Sequence, residues 1–323
     1  MAVTIDGAAA GLNRYAIQYK GEINTKMRQT LVTEQEWTPR VADHTWTAPS
    51  VTSTDLIQAF QCDFTPNNTH AFNEDPIPLQ QMKIDVQYTC DDLEQFFDSF
   101  FTEWYEFGSG KKPEDWMFPA WIYNKEILPK IEEELELMVA YKGVRVAPTT
   151  GVAGTPAASC DGMARKIALA ITAGRITPIA TGAFTASTYF DKMNVFINAL
   201  PVQHRERPGK IYMSPTHARG LAMDILDRFK VNSNINPGDT NQILRFALPF
   251  SNKTIVGLPS MEGTSRVIYT PRKDGLVWVR KRNEPAMPVI RWESFERKLK
   301  GFAEFHRGYG FEFGPEIFVN DQA

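Results

Sequence analysis

The stretch "LQQMKIDVQY", Leu79 to Tyr88, sets Met82, Ile84, Val86 and Tyr88 against Gln81, Lys83, Asp85 and Gln87. That alternation is the period of a half-buried strand. Upstream, "LIQAFQCDF" places Phe60, Cys62 and Phe64 on one face, and the intervening "TPNNTHAFNEDPIP" is rich in turn formers. The spacing predicts a long two-stranded ribbon between Leu56 and Tyr88 with a polar tip near Asn67, Asn68 and His70. A lone ribbon of that length does not hold itself together in water, so it must lie on its own body or on another subunit. The polar, proline-flanked tip is unlike a segment buried in its own core. The expectation is therefore that Phe60, Phe64, Met82, Ile84 and Val86 are covered only on assembly.

Residues Met1 to Thr52 are polar and weakly periodic, and "EWTP" and "TWTAP" carry prolines that enforce extended geometry. This reads as an extended arm. Trp37 and Trp46 then fold back onto their own domain or lie on a neighbour, since buried aromatic anchors serve both purposes. Contact with a neighbour is the sharper expectation.

"DDLEQFFDSFFTEWYEFGSG" predicts a helix from Asp91 to Phe107, with aspartates at its start and Leu93, Phe96, Phe97, Phe100, Phe101 and Trp104 on one face. A second helix is expected from Lys125 to Lys142. Ile127, Leu128, Ile131, Leu135, Met138 and Val139 form its stripe, "EEELE" its solvated side, and Pro129 falls in its first turn. The glycine-rich run Ala147 to Gly162 lacks the order of a phosphate-binding loop and reads as surface. Short helices follow near 163–173 and 187–200, then the strand "KIYMS" and a helix to Lys230. From Ser251 the chain turns to strands, ending in "KLKGFAEFHRGYGFEFGPEIFVN". Strands before and after a helical middle indicate an α+β fold.

Chemistry is scarce. In "YMSPTHARG", Ser214 and His217 tempt as nucleophile and base, but Ser-Pro is the usual opening of a helix, and no sharp elbow or oxyanion hole accompanies it. His44, His70, His204 and His306 are dispersed, and no metal-ligand or dinucleotide-binding spacing occurs. The three cysteines, Cys62, Cys90 and Cys160, are too scattered for a disulfide framework and suit a reducing compartment. A net charge of −3 gives no general affinity for nucleic acid. Neither a signal peptide nor a membrane span is read, so a cytosolic origin is expected.

The order of these parts resembles the major capsid proteins of tailed bacteriophages, the Johnson fold shared with herpesvirus capsids. The likeness is carried by "GKIYMSPTHARGLAMDILDRF", by "TIVGLPSMEGTSRVIYTPRKDGLVWVRKR" and by "GYGFEFGPEIFVN". It implies an N-arm over 1–52 and an extended loop over 53–90. A peripheral domain over 91–186 would hold the aromatic helix and a spine helix, an axial domain would span 187–264, and return strands would fill 265–323. The implied function is a self-assembling icosahedral shell around packaged double-stranded DNA, with no cofactor and no catalysis. The implied partners are further copies in hexamers and pentamers, scaffolding, portal and decoration proteins, and DNA touched non-specifically on the inner face. The implied locations are the virion and, during assembly, the host cytoplasm. The competing readings are a tail-tube or decoration protein and a hydrolase using Ser214 and His217.

Overall fold

The computed structural model describes residues 5–47, 50–53, 57, 59–62, 70–73, 75–107, 118–185, 188–229, 244–285 and 288–322. The strand β13 (Lys298–Phe311) organises the first of two sheets. It pairs antiparallel with β6 (Gln80–Thr89) in unbroken register from Lys298↔Thr89 to Arg307↔Gln80. β12 (Arg291–Phe295) lies along its start and β11 (Leu276–Lys281) along its end. β1 (Thr38–Ala42) runs parallel on the far side of β11. The β12–β13 turn places two adjacent residues, Glu296 (φ 49°) and Arg297 (φ 59°), in the left-handed region that tight hairpins demand.

This arrangement corrects the ribbon reading. The partner of β6 is β13, not the Leu56–Phe64 segment, so Met82 is buried and Ile84 and Val86 are half-buried against the chain's own core. They are not a face left for assembly. The hairpin that does form is shorter: β3 (Ser50–Ser53) pairs with β4 (His70–Asn73).

The N-terminal region is likewise helical rather than extended. α1 (Ile5–Gln18), α2 (Lys20–Thr30) and α3 (Val32–Glu36) precede β1. Ala8, Leu12, Tyr15 and Ala16, at spacings of three and four, form a stripe that joins the main core. Asn13 fastens α1 to the sheet by donating to the Trp292 carbonyl (2.7 Å) and accepting from the Trp292 N–H (2.9 Å). Removing Met1 to Arg40 would therefore open the core instead of leaving a folded body.

α4 (Cys90–Phe107) begins with Thr89 and Asp92 in a reciprocal cap. The Thr89 N–H donates to the Asp92 carboxylate (2.7 Å), and the Asp92 N–H donates to Thr89 Oγ1 (3.3 Å). Phe97 and Phe100 then pack edge-on against Phe118.

The second helix starts earlier than the sequence suggests. α5 (Phe118–Ile122), a π turn (Tyr123–Ile127), α6 (Leu128–Glu133) and a second π turn (Glu134–Val139) form one rod. Pro119 occupies the opening turn, and Pro129 lies in the interior. Proline lacks the N–H of an α-helical bond and its ring crowds the carbonyl four residues back, and the wider π turn just before it relaxes both demands. The π turns also rotate the buried stripe. Ile122, Tyr123, Ile127, Leu128, Ile131, Leu135 and Val139 are buried, while Met138, expected inside, is exposed.

The second sheet has the order β14 (Phe318–Val319), β10 (Ile268–Thr270), β7 (Gly209–Met213), β9 (Lys253–Gly257), β8 (Arg245–Ala247). α8 (Tyr189–Ala199) and α10 (Pro215–Phe229) supply Phe190, Met193, Phe196, Leu221 and Ile225, which close on Ile211, Ile255 and Tyr269 as a separate core. α9 (Val202–Arg205) sits at its margin, and α7 (Met163–Thr172) joins the first core. Strands β10 and β14 come from beyond residue 264, so a domain ending there would cut this sheet.

Candidate assembly surface

The base of the β3·β4 hairpin is held tightly. β2 (Thr45–Trp46) pairs with β5 (Ile77–Pro78), and the Leu79 N–H donates to the His44 carbonyl (2.8 Å). Ile77 is 1% exposed and fills the space over Gly308 and Gly310. A Cβ at Gly310 would stand 2.5 Å from Ile77 Cδ1, so the "GYG" of β13 is what admits Ile77. On either side, Asp75 pairs with Arg175, and Gln80 exchanges hydrogen bonds with Asp161 (3.0 and 2.5 Å). Burial pushes the Asp75 carboxyl above the usual carboxylate range, and the Arg175 guanidinium opposes that.

Between the hairpin arms, Ile57 is 95% and Phe60 93% exposed, and Cys62 is exposed beside them. Ile57 and Phe60 are thus two large apolar side chains that the described residues leave nearly bare. Phe64, Asn67 and Asn68 lie outside the described residues, as does the side chain of His70, whose backbone pairs with Ser53.

The two tryptophans of the expected arm separate. Trp37 is 2% exposed and meets Tyr309 edge-on (5.9 Å), so it is an anchor of its own body with no surface left for a neighbour. Trp46 is half-buried, with Arg40 6.0 Å from its ring centroid, and packs on the small core of Ala42, Ile77, Val277 and Val279. It too is occupied by its own chain.

A buried polar cluster, missed in the sequence, ties α3 to the first sheet and to the helical rod. Glu34 Oε1 accepts from Arg307 Nε (3.2 Å) and from the Tyr309 hydroxyl (2.9 Å), and its backbone carbonyl accepts from Trp278 Nε1 (3.0 Å). The Arg307 guanidinium lies over the Trp278 ring at 4.8 Å. Next to it, the Glu136 carboxylate accepts from the Thr33 N–H (3.1 Å) and hydroxyl, and the Thr33 hydroxyl is 2.8 Å from Ser260. Burial raises the Glu136 carboxyl above the usual range despite these bonds.

Ser214 and His217 do not form a catalytic pair. The His217 backbone N–H donates to Ser214 Oγ (3.2 Å), which is a helix cap. The imidazole is engaged elsewhere, with Nδ1 3.1 Å from the Tyr189 hydroxyl and Nε2 3.3 Å from Ser265 Oγ. Among the described residues no group of His, Cys, Asp or Glu is placed to hold a metal ion.

No protein-family model matches this sequence, and no curated protein does. Solved structures do. A chain of the satellite phage P4 procapsid with its size determination protein superposes at TM-score 0.56 and 12% identity, covering 93% of this chain and 90% of that one. A chain of Gordonia phage Cozz gives 0.52 at 10% identity over 90% and 85%. The capsid of the native GTA particle gives 0.51 at 11% identity over 90% and 89%. With so little shared sequence, what these likenesses carry is architecture, and each extends over at least 90% of this chain. The chain has the phage capsid fold, the Johnson fold that its sequence resembles.

Proposed function

We propose that this chain is the major capsid protein of a tailed phage, assembling with copies of itself into the icosahedral shell that encloses packaged double-stranded DNA. The observation that carries the reading is the pairing of that fold with a segment between β3 and β4 whose Ile57 and Phe60 the described residues leave exposed. A shell subunit uses such surfaces in large obligate interfaces and needs no catalytic group.

In this reading the first sheet and the 118–139 rod are the peripheral domain and spine. The second sheet with α8 and α10 is the axial domain, and residues 50–73 are the extended loop. Hexameric and pentameric capsomers are the immediate assemblies. Scaffolding, portal and decoration proteins are further partners, and DNA lies against the inner face without sequence preference. No helix among the described residues is long and apolar enough to cross a membrane. The virion is the final location, reached by assembly in the host cytoplasm.

Negative-stain micrographs of the purified protein test this. Closed shells or capsomer rings are expected, and small monodisperse particles under every assembly condition would refute it.

A further inference from the structure

Along its outer edge β6 pairs with no strand among the described residues, and backbone geometry shows which groups that edge offers. The N–H of Trp292 turns away from β13 to Asn13, so β12 bonds to β13 through Arg291, Glu293 and Phe295. The even-numbered residues of β13 therefore face β12. The odd-numbered ones face β6 and bond to Gln80, Met82, Ile84, Val86 and Tyr88. The odd-numbered residues of β6 accordingly turn their N–H and C=O groups outward. Both flanks agree with that phase. The Leu79 N–H donates outward to the His44 carbonyl (2.8 Å), and the Thr89 N–H donates outward to the Asp92 carboxylate (2.7 Å).

Between those two caps, the outward backbone groups of Gln81, Lys83, Asp85 and Gln87 have no partner among the described residues. The window holds no proline, and its register with β13 runs through without a bulge. Edges of this kind are normally blunted, because they accept a strand that reaches them. The window is centred on Ile84, since Leu79 and Thr89 stand equally far from it.

The charges share that centre. Reversed about Ile84, the run sets Gln81 against Gln87 and Lys83 against Asp85. A second copy laid antiparallel on this edge therefore meets opposite charge at both central positions. The backbone phase admits only registers that oppose odd-numbered residues to odd-numbered ones. Moving the twofold axis by one residue would oppose Lys83 to Lys83 or Asp85 to Asp85, and like charges directly opposite are destabilising. Backbone and side chains thus select the same register.

We infer that β6 pairs antiparallel with β6 of a second copy about a twofold axis at Ile84, joining two first sheets into one. This rests on the shell reading and adds to it a self-complementary contact, the isologous kind that a twofold axis requires. Four opposed residue pairs, from Gln81 with Gln87 of the second copy to the reverse, would exchange about eight main-chain hydrogen bonds. The pairing ends where His44 and Asp92 already satisfy the chain, and Met82, Ile84 and Val86 keep their places on their own core.

A charge swap tests the register. The Lys83 and Asp85 side chains are 74% and 57% exposed, so substitutions there should leave unassembled subunits melting within a few degrees of the wild type. Lys83→Asp opposes Asp to Asp85 on both sides of the axis and should lower shell yield by about tenfold or more. Adding Asp85→Lys restores opposite charges in the same register and should return the yield to within about twofold of the wild type. Shells from Lys83→Asp at wild-type yield, or no recovery in the swapped variant, would overturn the pairing.

Cross-linking gives a second reading that does not depend on shells. In a Cys62→Ser background, subunits carrying Lys83→Cys are mixed with subunits carrying Asp85→Cys and oxidised. Opposed residues of such a pair stand about 5.5 Å apart at Cα, within disulfide range. Peptide mapping should find the 83–85 link in the mixture at least about tenfold above the 83–83 and 85–85 links. Shells without the 83–85 link would overturn the pairing and leave the shell reading standing. The link without shells would keep the pairing and overturn the shell reading, and neither one would overturn both.

Discussion

Ile77 seats the β2·β5 pair on the first sheet, and its contact with Gly310 gives a double-mutant test. Ile77 is 1% exposed, so Ile77→Ala removes buried methyl and methylene groups at a cost of about 2–5 kcal/mol. Gly310→Ala drives a Cβ to 2.5 Å from Ile77 Cδ1 and 2.7 Å from Cγ1, an overpacking that costs about 1–3 kcal/mol. In the double variant both clashing atoms are gone, and the nearest remaining Ile77 atom is Cβ at 3.8 Å, an ordinary contact. The new methyl also fills part of the space that Ile77→Ala opens. The double variant should therefore lose less than the two single losses added together, by about 1–2 kcal/mol. Urea unfolding of the unassembled subunit, followed by circular dichroism, measures all four corners of the cycle. Additivity within about 0.5 kcal/mol would show that Ile77 does not sit over Gly310 as described.

Three further outcomes follow from the buried polar groups. Arg307→Met strands the Glu34 carboxylate and should destabilise the subunit by about 3–5 kcal/mol, while adding Glu34→Gln should recover part of that loss in the same urea assay. Burial raises the Glu136 carboxyl, so its protonated form is favoured in the folded state. The stability linked to it is complete below the ordinary glutamate value and is lost as pH rises through the raised one. Glu136→Gln should then melt higher than the wild type at pH 8, with the gap closing toward pH 4. Burial also pushes the Cys160 thiol up to about 12, so a thiol reagent should label exposed Cys62 in the native protein and reach Cys160 only after unfolding.

Local patterns were readable where one element's periodicity decides its fate. The alternation of Met82, Ile84, Val86 and Tyr88 marked a strand, and Leu93, Phe96, Phe97 and Phe100 marked a helix, because each pattern needs only its own neighbours in sequence. The partner of β6 was not readable. Ile84 meets Ala303 from the far end of the chain, and nothing near Ile84 distinguishes β13 from the closer Leu56–Phe64 run. The N-terminal helices hid behind small residues, since Ala8, Leu12 and Ala16 keep helical spacing with little apolar bulk. The step of five from Ile122 to Ile127 breaks the 3.6-residue period, which displaced the helix start and misplaced Pro129 and Met138. Glu34, Arg307 and Glu136 read as surface charges by type, and only the fold brings them to Tyr309, Trp278 and Thr33. At Ser214 the local signal was sufficient, because a helix cap is a local object.

A cryo-electron microscopy reconstruction of the assembled protein tests the central claim most directly. Closed icosahedral shells are expected, with Ile57 and Phe60 of each subunit covered by an adjacent copy while Trp37, Met82 and Ile84 stay inside their own. Particles without icosahedral closure, or shells in which Ile57 and Phe60 remain bare to solvent, would contradict it.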